Sequence, residues 1–347
     1  MALIKPSSGV DDRVRLADAI PLRTPFTLNI FPTNLCNFRC SYCAHSLGLE
    51  RLSSDFGVGA ESMSLETLRE VVRQARFFPD RFKLVSMMGH GEPLMNPLLP
   101  EMVKIVKEAG IAERIDVITN GSILDRARGA ALIESGIDVI RISLQGVTTK
   151  KYREIAHVRL EYPKLIENIS YLYAHRKQCK IYVKIMDISL AEGEDEQFYR
   201  TFDKISDRMY IDRVKPVYAG VKYDERVDEV TVDRYGYNHQ TRKVCPQPFY
   251  MISVWPGGDT ASCDAIYKAG LLGNIAGTTL TEMWSSDTLR EFRAVQLRGL
   301  RYSNTACSRC CAPDDVIHLL DVLDGHEERI SRAINGTARP DYALQLT

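Results

Sequence analysis

The sequence has no excess of charge of either sign: 45 Lys and Arg balance 45 Asp and Glu over 347 residues. That leaves no electrostatic footprint for a nucleic-acid partner. Blocks of like charge are also missing, so no polybasic segment points to a membrane surface. No apolar run is long enough to span a bilayer, and the first sixteen residues lack the apolar core of an export signal. A cytoplasmic protein with neither nucleic-acid nor membrane partner is the expectation. No internal repeat or low-complexity segment stands out, so the length bounds the chain to one large domain plus a small one, or two ordinary domains. What is present is an apolar fraction of 45%, enough for a sizeable core, and nine cysteines. Without an export signal, those thiols are read as reduced and put to use on metal.

Three of them lie within eight residues, Cys36-Asn37-Phe38-Arg39-Cys40-Ser41-Tyr42-Cys43, directly after the strand-like run 26–31. Iron–sulfur clusters are held by cysteine thiolates, usually four. Three in one loop would leave one iron open to an exogenous ligand. A structural zinc wants four protein ligands, and His45 can supply the fourth. A disulfide plus a spare thiol is a third reading.

The rest of the chain alternates. Strand-like runs at 84–88, 115–119, 139–144, 181–186 and 211–218 follow the first, separated by helical patterns. The helices are expected after Ser64 (a plausible N-cap), over 98–108 with Gly110 as stop, from Asn120-Gly121 to Gly136, over 149–155 and 162–176, and around 197–205. Residues 47–59 read as irregular. Six strands alternating with helices predict a parallel sheet with right-handed crossovers, either doubly wound or a partial barrel. Ligands collect at the carboxyl ends of such strands, which is where the cysteine loop lies. Past about residue 222 the rhythm stops. Residues 245–311 read as a β-hairpin, a short helix and four spaced thiols, Cys245, Cys263, Cys307 and Cys310, which suit zinc or a closed cluster equally. Residues 316–334 read as an amphipathic helix and the last dozen as a tail.

Cys-x-x-x-Cys-x-x-Cys with Tyr42 before the last cysteine resembles the signature of the radical S-adenosylmethionine (SAM) superfamily. The resemblance covers roughly residues 24–220. It implies a [4Fe–4S] cluster on Cys36, Cys40 and Cys43 whose open iron chelates SAM, cleavage of SAM to a 5′-deoxyadenosyl radical, and an external electron donor such as flavodoxin or ferredoxin. Gly89-His90-Gly91-Glu92-Pro93 then resembles the family's Gly-Gly-Glu-Pro motif, which implies that Gly91 and Glu92 contact the methionine amino group; His90 replaces the first glycine. Ser143 stands where the family often contacts ribose, with Asn120 a similar but more ordinary loop position; Gln145 stands where Asp is usual. Cys245, hairpin, Cys263, Leu-Gly-Asn-Ile at 272–275, Trp284 and the Cys307/Cys310 pair resemble the C-terminal SPASM extension. The extra cysteines of the full form are missing, so the shortened twitch form with one auxiliary four-iron cluster is implied, spaced as in the branch that includes the butirosin-pathway aminocyclitol dehydrogenase. The expected architecture is thus a lead-in (1–23), a partial (β/α)6 TIM-like barrel (24–222), a small β-hairpin/helix auxiliary-cluster domain (223–315), and a C-terminal helix and tail (316–347).

The implied chemistry is hydrogen abstraction from carbon. Its first reading is oxidation of a secondary alcohol on a sugar or aminocyclitol, with the auxiliary cluster accepting an electron. Redox-neutral carbohydrate epimerisation, with Cys311 returning a hydrogen atom, is the second; peptide maturation is the third. A zinc-bearing binding protein is the rival of another class. Lys184, an ionisable residue in an apolar strand, is a candidate base or substrate ligand if it points into a barrel, and an ordinary surface lysine if it does not. Cys311 is a candidate hydrogen donor or a structural thiol. Cys179 reads as a small buried hydrophobe.

Overall fold

Apolar and polar residues alternate along the strands, and that alternation sets the layers. The computed structural model describes residues 1–6, 13–223, 227 and 231–336. Among them are ten strands: β1 (Leu3–Ile4), β2 (Thr27–Ile30), β3 (Leu84–Met87), β4 (Ile115–Thr119), β5 (Val139–Leu144), β6 (Lys180–Met186), β7 (Arg208–Asp212), β8 (Met251–Val254), β9 (Asp259–Ala261) and β10 (Leu271–Asn274). They form one open sheet in the order β1-β7-β6-β5-β4-β3-β2-β8-β9-β10. Every pairing from β1 through to β2–β8 is parallel, and only β8–β9 and β9–β10 are antiparallel. This is the partial barrel, extended at one edge by the hairpin.

One face of each strand is apolar. Ile30, Val85, Val117, Ile142 and Val183 are fully buried against helix residues such as Leu68, Met102, Leu132 and Ile169. Each such side chain contributes on the order of 1.5–3 kcal/mol by leaving water. The alternate residues, Asn29, Ser86, Asp116, Arg141, Ser143, Lys184 and Asp212, therefore face the inner side of the curved sheet. They are paired there. Asn29 Nδ2 donates to Ser253 Oγ at 3.1 Å, Ser86 Oγ donates to Asp116 Oδ1 at 2.5 Å, and Arg141 Nη2 donates to Asp116 Oδ2.

The helix Leu65–Ala75 opens at Ser64, whose Oγ accepts from the Thr67 N–H at 3.0 Å, and Leu99–Ala109 ends on Gly110 in the left-handed region. Later helices span Arg126–Glu134, Thr149–Ile155, Tyr162–His175 and Glu194–Phe202, close to expectation. Three expectations are corrected. Residues Leu49–Phe56, read as irregular, form a helix: Leu52 and Phe56 are buried beside Ile266, and Gly57 closes it at φ +64°. The last parallel strand is Arg208–Asp212 and not 211–218: its pairing runs from Tyr182↔Arg208 to Met186↔Asp212, where its partner β6 ends. The C-terminal helix is Glu327–Gly336 only, since Gly325 at φ +82° breaks the chain ahead of it. In the lead-in, Leu3–Ile4 adds an edge strand beside β7; residues 7–12 of that segment, 224–226 and 228–230 beyond the expected boundary, and the tail from 337 lie outside the described residues. No described helix is long and apolar enough to cross a membrane.

The Asp116–Arg141 pair provides a test of the polar interior. Asp116→Ala would strand a buried guanidinium and lower the unfolding free energy by roughly 3–5 kcal/mol in denaturant melts. Replacing both residues (D116L/R141M) is expected to recover most of that loss. Equal losses in the single and double variants would show that the two charges are not coupled.

Candidate active site

The cysteine loop leaves the carboxyl end of β2 and is fastened to the end of the helix Thr149–Ile155. Arg39 N–H donates to Ala156 O at 3.0 Å and Ser41 N–H to Ile155 O at 2.8 Å, while Phe38 packs edge-on against Tyr152. Burial pushes the Cys36 thiol up to about 12, with Glu92 and Cys43 adding to the rise; Cys40 and Cys43 are raised for the same reason. Burial of this kind favours the neutral thiols in the cofactor-free chain.

Gly91 explains how the second strand reaches this loop. A Cβ there would lie 2.4 Å from Thr33 O and 2.7 Å from Leu35 O, and the next N–H, of Glu92, donates to Leu35 O at 2.8 Å. Only glycine permits so close a backbone approach. Glu92 is fully buried and its carboxylate is ringed by donors: Thr119 Oγ1 at 2.5 Å, Asn120 N–H at 2.6 Å and Leu94 N–H at 3.0 Å. Burial nonetheless pushes its pKa up to about 7, against those three hydrogen bonds. A buried carboxylate with this bias favours a cationic partner.

The other sequence-derived positions fall nearby. Asn120 Nδ2 donates to Asn37 Oδ1 at 2.9 Å, tying β4 to the cysteine loop, and Asn120 Oδ1 accepts from Ser122. Tyr42 donates its hydroxyl to Gln145 Oε1, and Gln145 Nε2 donates to Ser143 O at 3.1 Å. Ser143 lies beside Lys184 in the β5–β6 register. Lys184 is an inward lysine and not a surface one. Its Nζ lies 2.7 Å from Asp212 Oδ2, and burial lowers its pKa against that carboxylate. His45 ties the loop to the end of β3: its Nε2 lies 2.6 Å from His90 O.

The second thiol set assembles across the hairpin. Cys245, Cys263, Cys307 and Cys310 line one cavity, with Arg301, Phe292 and Pro313 in its wall. Burial raises all four thiols, Cys307 to about 11 and Cys310 to about 12. Among the described residues no three His, Cys, Asp or Glu side chains form a group able to hold a single metal ion; these thiols ring a space instead. An all-thiol donor set around a space fits an iron–sulfur cluster. Gln74 clamps this region to the barrel, donating to Ile275 O and accepting from Leu280 N–H, both at 2.9 Å. Burial pushes the Cys311 thiol up, and the nearby Asp315 charge adds to the rise; its neighbours Cys310 and Ala312 line the lumen.

That lumen is a cavity of about 360 Å³ between the inner face of the sheet and the C-terminal segments. Its walls include Asn29, Ser86, His90, Arg141, Arg234 and Asp264. Of these only His90 was singled out from the sequence. It is a fixed part of the wall: Nε2 lies 2.8 Å from Asp264 O, the ring stacks on Trp255, and burial lowers its pKa to about 4. The period-two polar positions of the strands carried the signal for Asn29, Ser86 and Arg141.

An open parallel sheet with a three-thiol loop after its first barrel strand, and a four-thiol site on a trailing hairpin, defines a radical SAM enzyme with an auxiliary cluster domain. Comparison with known proteins agrees. The radical SAM superfamily model matches residues 30–205, just over half the chain, and the SPASM model, an iron–sulfur cluster-binding domain, matches residues 245–311. The chain belongs to the radical SAM superfamily. These families imply SAM and [4Fe–4S] clusters as its cofactors. Among curated relatives, GTP 3′,8-cyclase of Chlorobaculum tepidum is 30% identical over 134 residues, 38% of this chain and 37% of that one, so the match spans little more than a third of the relative's length. Among solved structures, BtrN in complex with AdoMet and 2-DOIA superposes with a TM-score of 0.52 at 17% identity, covering 82% of this chain and 92% of BtrN. Streptococcus suis SuiB bound to S-adenosylmethionine gives 0.59 at 19% identity, covering 89% and 74%.

The raised Glu92 pKa has a measurable consequence in the cofactor-free chain. The folded state holds this proton to about pH 7, whereas the unfolded chain releases it near 4.5. Between those values folding stability falls by about 1.4 kcal/mol per pH unit on account of Glu92 alone. Denaturant melts of wild type and Glu92→Gln at pH 5 and pH 7 should therefore differ in slope, the variant lacking this loss. Parallel pH dependences would refute the assignment.

Proposed function

We propose that the chain oxidises a secondary alcohol of a sugar or aminocyclitol-type substrate to a ketone. In this reading Cys36, Cys40 and Cys43 hold the SAM-binding cluster, and Gly91 and Glu92 receive the methionine end of SAM. Tyr42, Asn120 and Ser143 line the remainder of that pocket, and Cys245, Cys263, Cys307 and Cys310 hold the auxiliary cluster. When bound, the cofactors supply a hydrogen-abstracting radical and a one-electron sink. The substrate gives up one hydrogen atom, one proton and one electron. The Lys184–Asp212 pair, with Lys184 Nζ donating to Asp212 Oδ2, is assigned to take up the proton. An external one-electron donor such as flavodoxin or ferredoxin initiates each turnover.

The observation that carries the reading is the shared wall. Cys310 lines both the lumen and the four-thiol cavity, as do Gln247, Ala265 and Tyr267. An electron leaving a substrate in the lumen has the second site immediately behind that wall, and four thiol ligands leave no open iron there to bind the substrate itself. Epimerisation would instead need a free thiol at the lumen wall, and Cys310, which lines it, is in this reading a cluster ligand.

The reconstituted protein should contain about eight irons, and about four after joint replacement of Cys245 and Cys263 by Ala. Zinc without visible absorbance would sink the reading. The decisive experiment screens sugars, aminocyclitols and peptides for SAM-dependent 5′-deoxyadenosine formation, with mass analysis of the product in heavy water. A ketone, with one SAM consumed per product, supports the dehydrogenase. A solvent deuterium at an inverted carbon, lost in Cys311→Ala, would establish the epimerase in its place.

A further inference from the structure

The charges of the lumen are nearly all spoken for. Arg141 is paired with Asp116 and Arg13 with Asp321, and Asp264 Oδ1 accepts from the neutral Gln247 Nε2 at 2.7 Å. Lys83 lies over the Phe26 ring, near the opposite end of the strands from the cysteine loop. Arg234 differs. Its guanidinium lines the lumen, and among the described residues no carboxylate lies within ion-pair distance of it. Its Nε and that of Arg141, which lines the same lumen, are buried without a hydrogen-bond partner. Asp212 and Asp264 act on Arg234 through space, but each already has a direct partner.

The backbone that carries Arg234 is held firmly. Asp233 Oδ1 accepts from the N–H groups of Tyr235 and Tyr237 at 2.8 and 2.9 Å, and Arg234 N–H donates to Asp315 O at 2.8 Å. Asp315 is itself fixed by Lys215 and His239. A guanidinium presented by a rigid turn into a cavity, with donors left over, is arranged to receive a planar or tetrahedral oxyanion.

We propose that Arg234, with Arg141 on the sheet wall of the same lumen, seats a carboxylate or phosphate of the substrate. The inference rests on the lumen being the substrate site, as in the proposed function, and narrows its substrate to acidic carbohydrates.

The test is arginine-selective labelling by phenylglyoxal of the reconstituted, SAM-loaded holoenzyme, read at Arg234 by mass spectrometry. Inorganic phosphate, glucuronate, glucose and glucosamine are compared at equal ionic strength, and wild type is compared with Arg234→Lys and Arg234→Met. A saturating anion at ten times its dissociation constant should slow labelling of Arg234 about tenfold. Protection by phosphate alone assigns a phosphorylated substrate, and protection by glucuronate assigns a carboxylate. Because the probes are simple oxyanions, no knowledge of the natural sugar is needed. In equilibrium dialysis with the protecting anion, R234K should retain binding and R234M lose about tenfold in affinity. Arg234 unreactive under all conditions, labelled at one rate throughout, or protected equally by glucose or glucosamine overturns the inference. Iron content and dithionite-driven SAM cleavage are measured on the same samples. Failure there defeats the radical reading itself, whereas normal values without anion protection defeat only the oxyanion site.

Discussion

Every strand of this barrel alternates, and the alternation obliges the protein to satisfy a polar interior. The outer face packs apolar residues against helices, leaving Asn29, Ser86, Asp116, Arg141, Ser143, Lys184 and Asp212 turned inward. A buried polar group without a partner is costly, and a buried charge more so. Hence the chain of pairs around the lumen: Asn29 with Ser253, Ser86 and Arg141 with Asp116, Lys184 with Asp212. The inner space is thus a furnished cavity and not the packed core of a closed barrel. What the pairs leave over is what a ligand can use.

A second constraint is the contact of two backbones. Gly91 sits against Thr33 and Leu35, so the strand end carrying Glu92 and the stem of the cysteine loop form a single structure. The position of Glu92, its donors from Thr119 and Asn120, and the Asn120–Asn37 bond back to the loop follow from that contact. The cysteine loop and the Glu92 carboxylate cannot shift independently.

The trailing hairpin is not an appendage. β8 pairs in parallel with β2, so the four-thiol site continues the same sheet and closes over the lumen. His90, the departure from the family's paired glycines, joins the two halves through Asp264 O beside Cys263 and through its stack on Trp255. The helix Leu49–Phe56 supports this seam from outside, packing Leu52 and Phe56 on Ile266.

The sequence by itself determined the ligand chemistry and the strand rhythm. Thiol spacing, Gly-x-Gly-Glu-Pro and the alternation of strands and helices are local, and local spacing dictates loop and register directly. Most helix limits were legible because caps such as Ser64 and Gly110 act within one turn. Glycine-flanked Leu49–Phe56 was not, since its helicity depends on burial against a segment two hundred residues away. Tertiary structure alone decided that β8 would join β2, that Lys184 would face inward onto Asp212, and that Arg234 would line the lumen with no ion-pair partner among the described residues. Those outcomes depend on which side chains remain once distant segments have paired, and no spacing along the chain encodes that remainder.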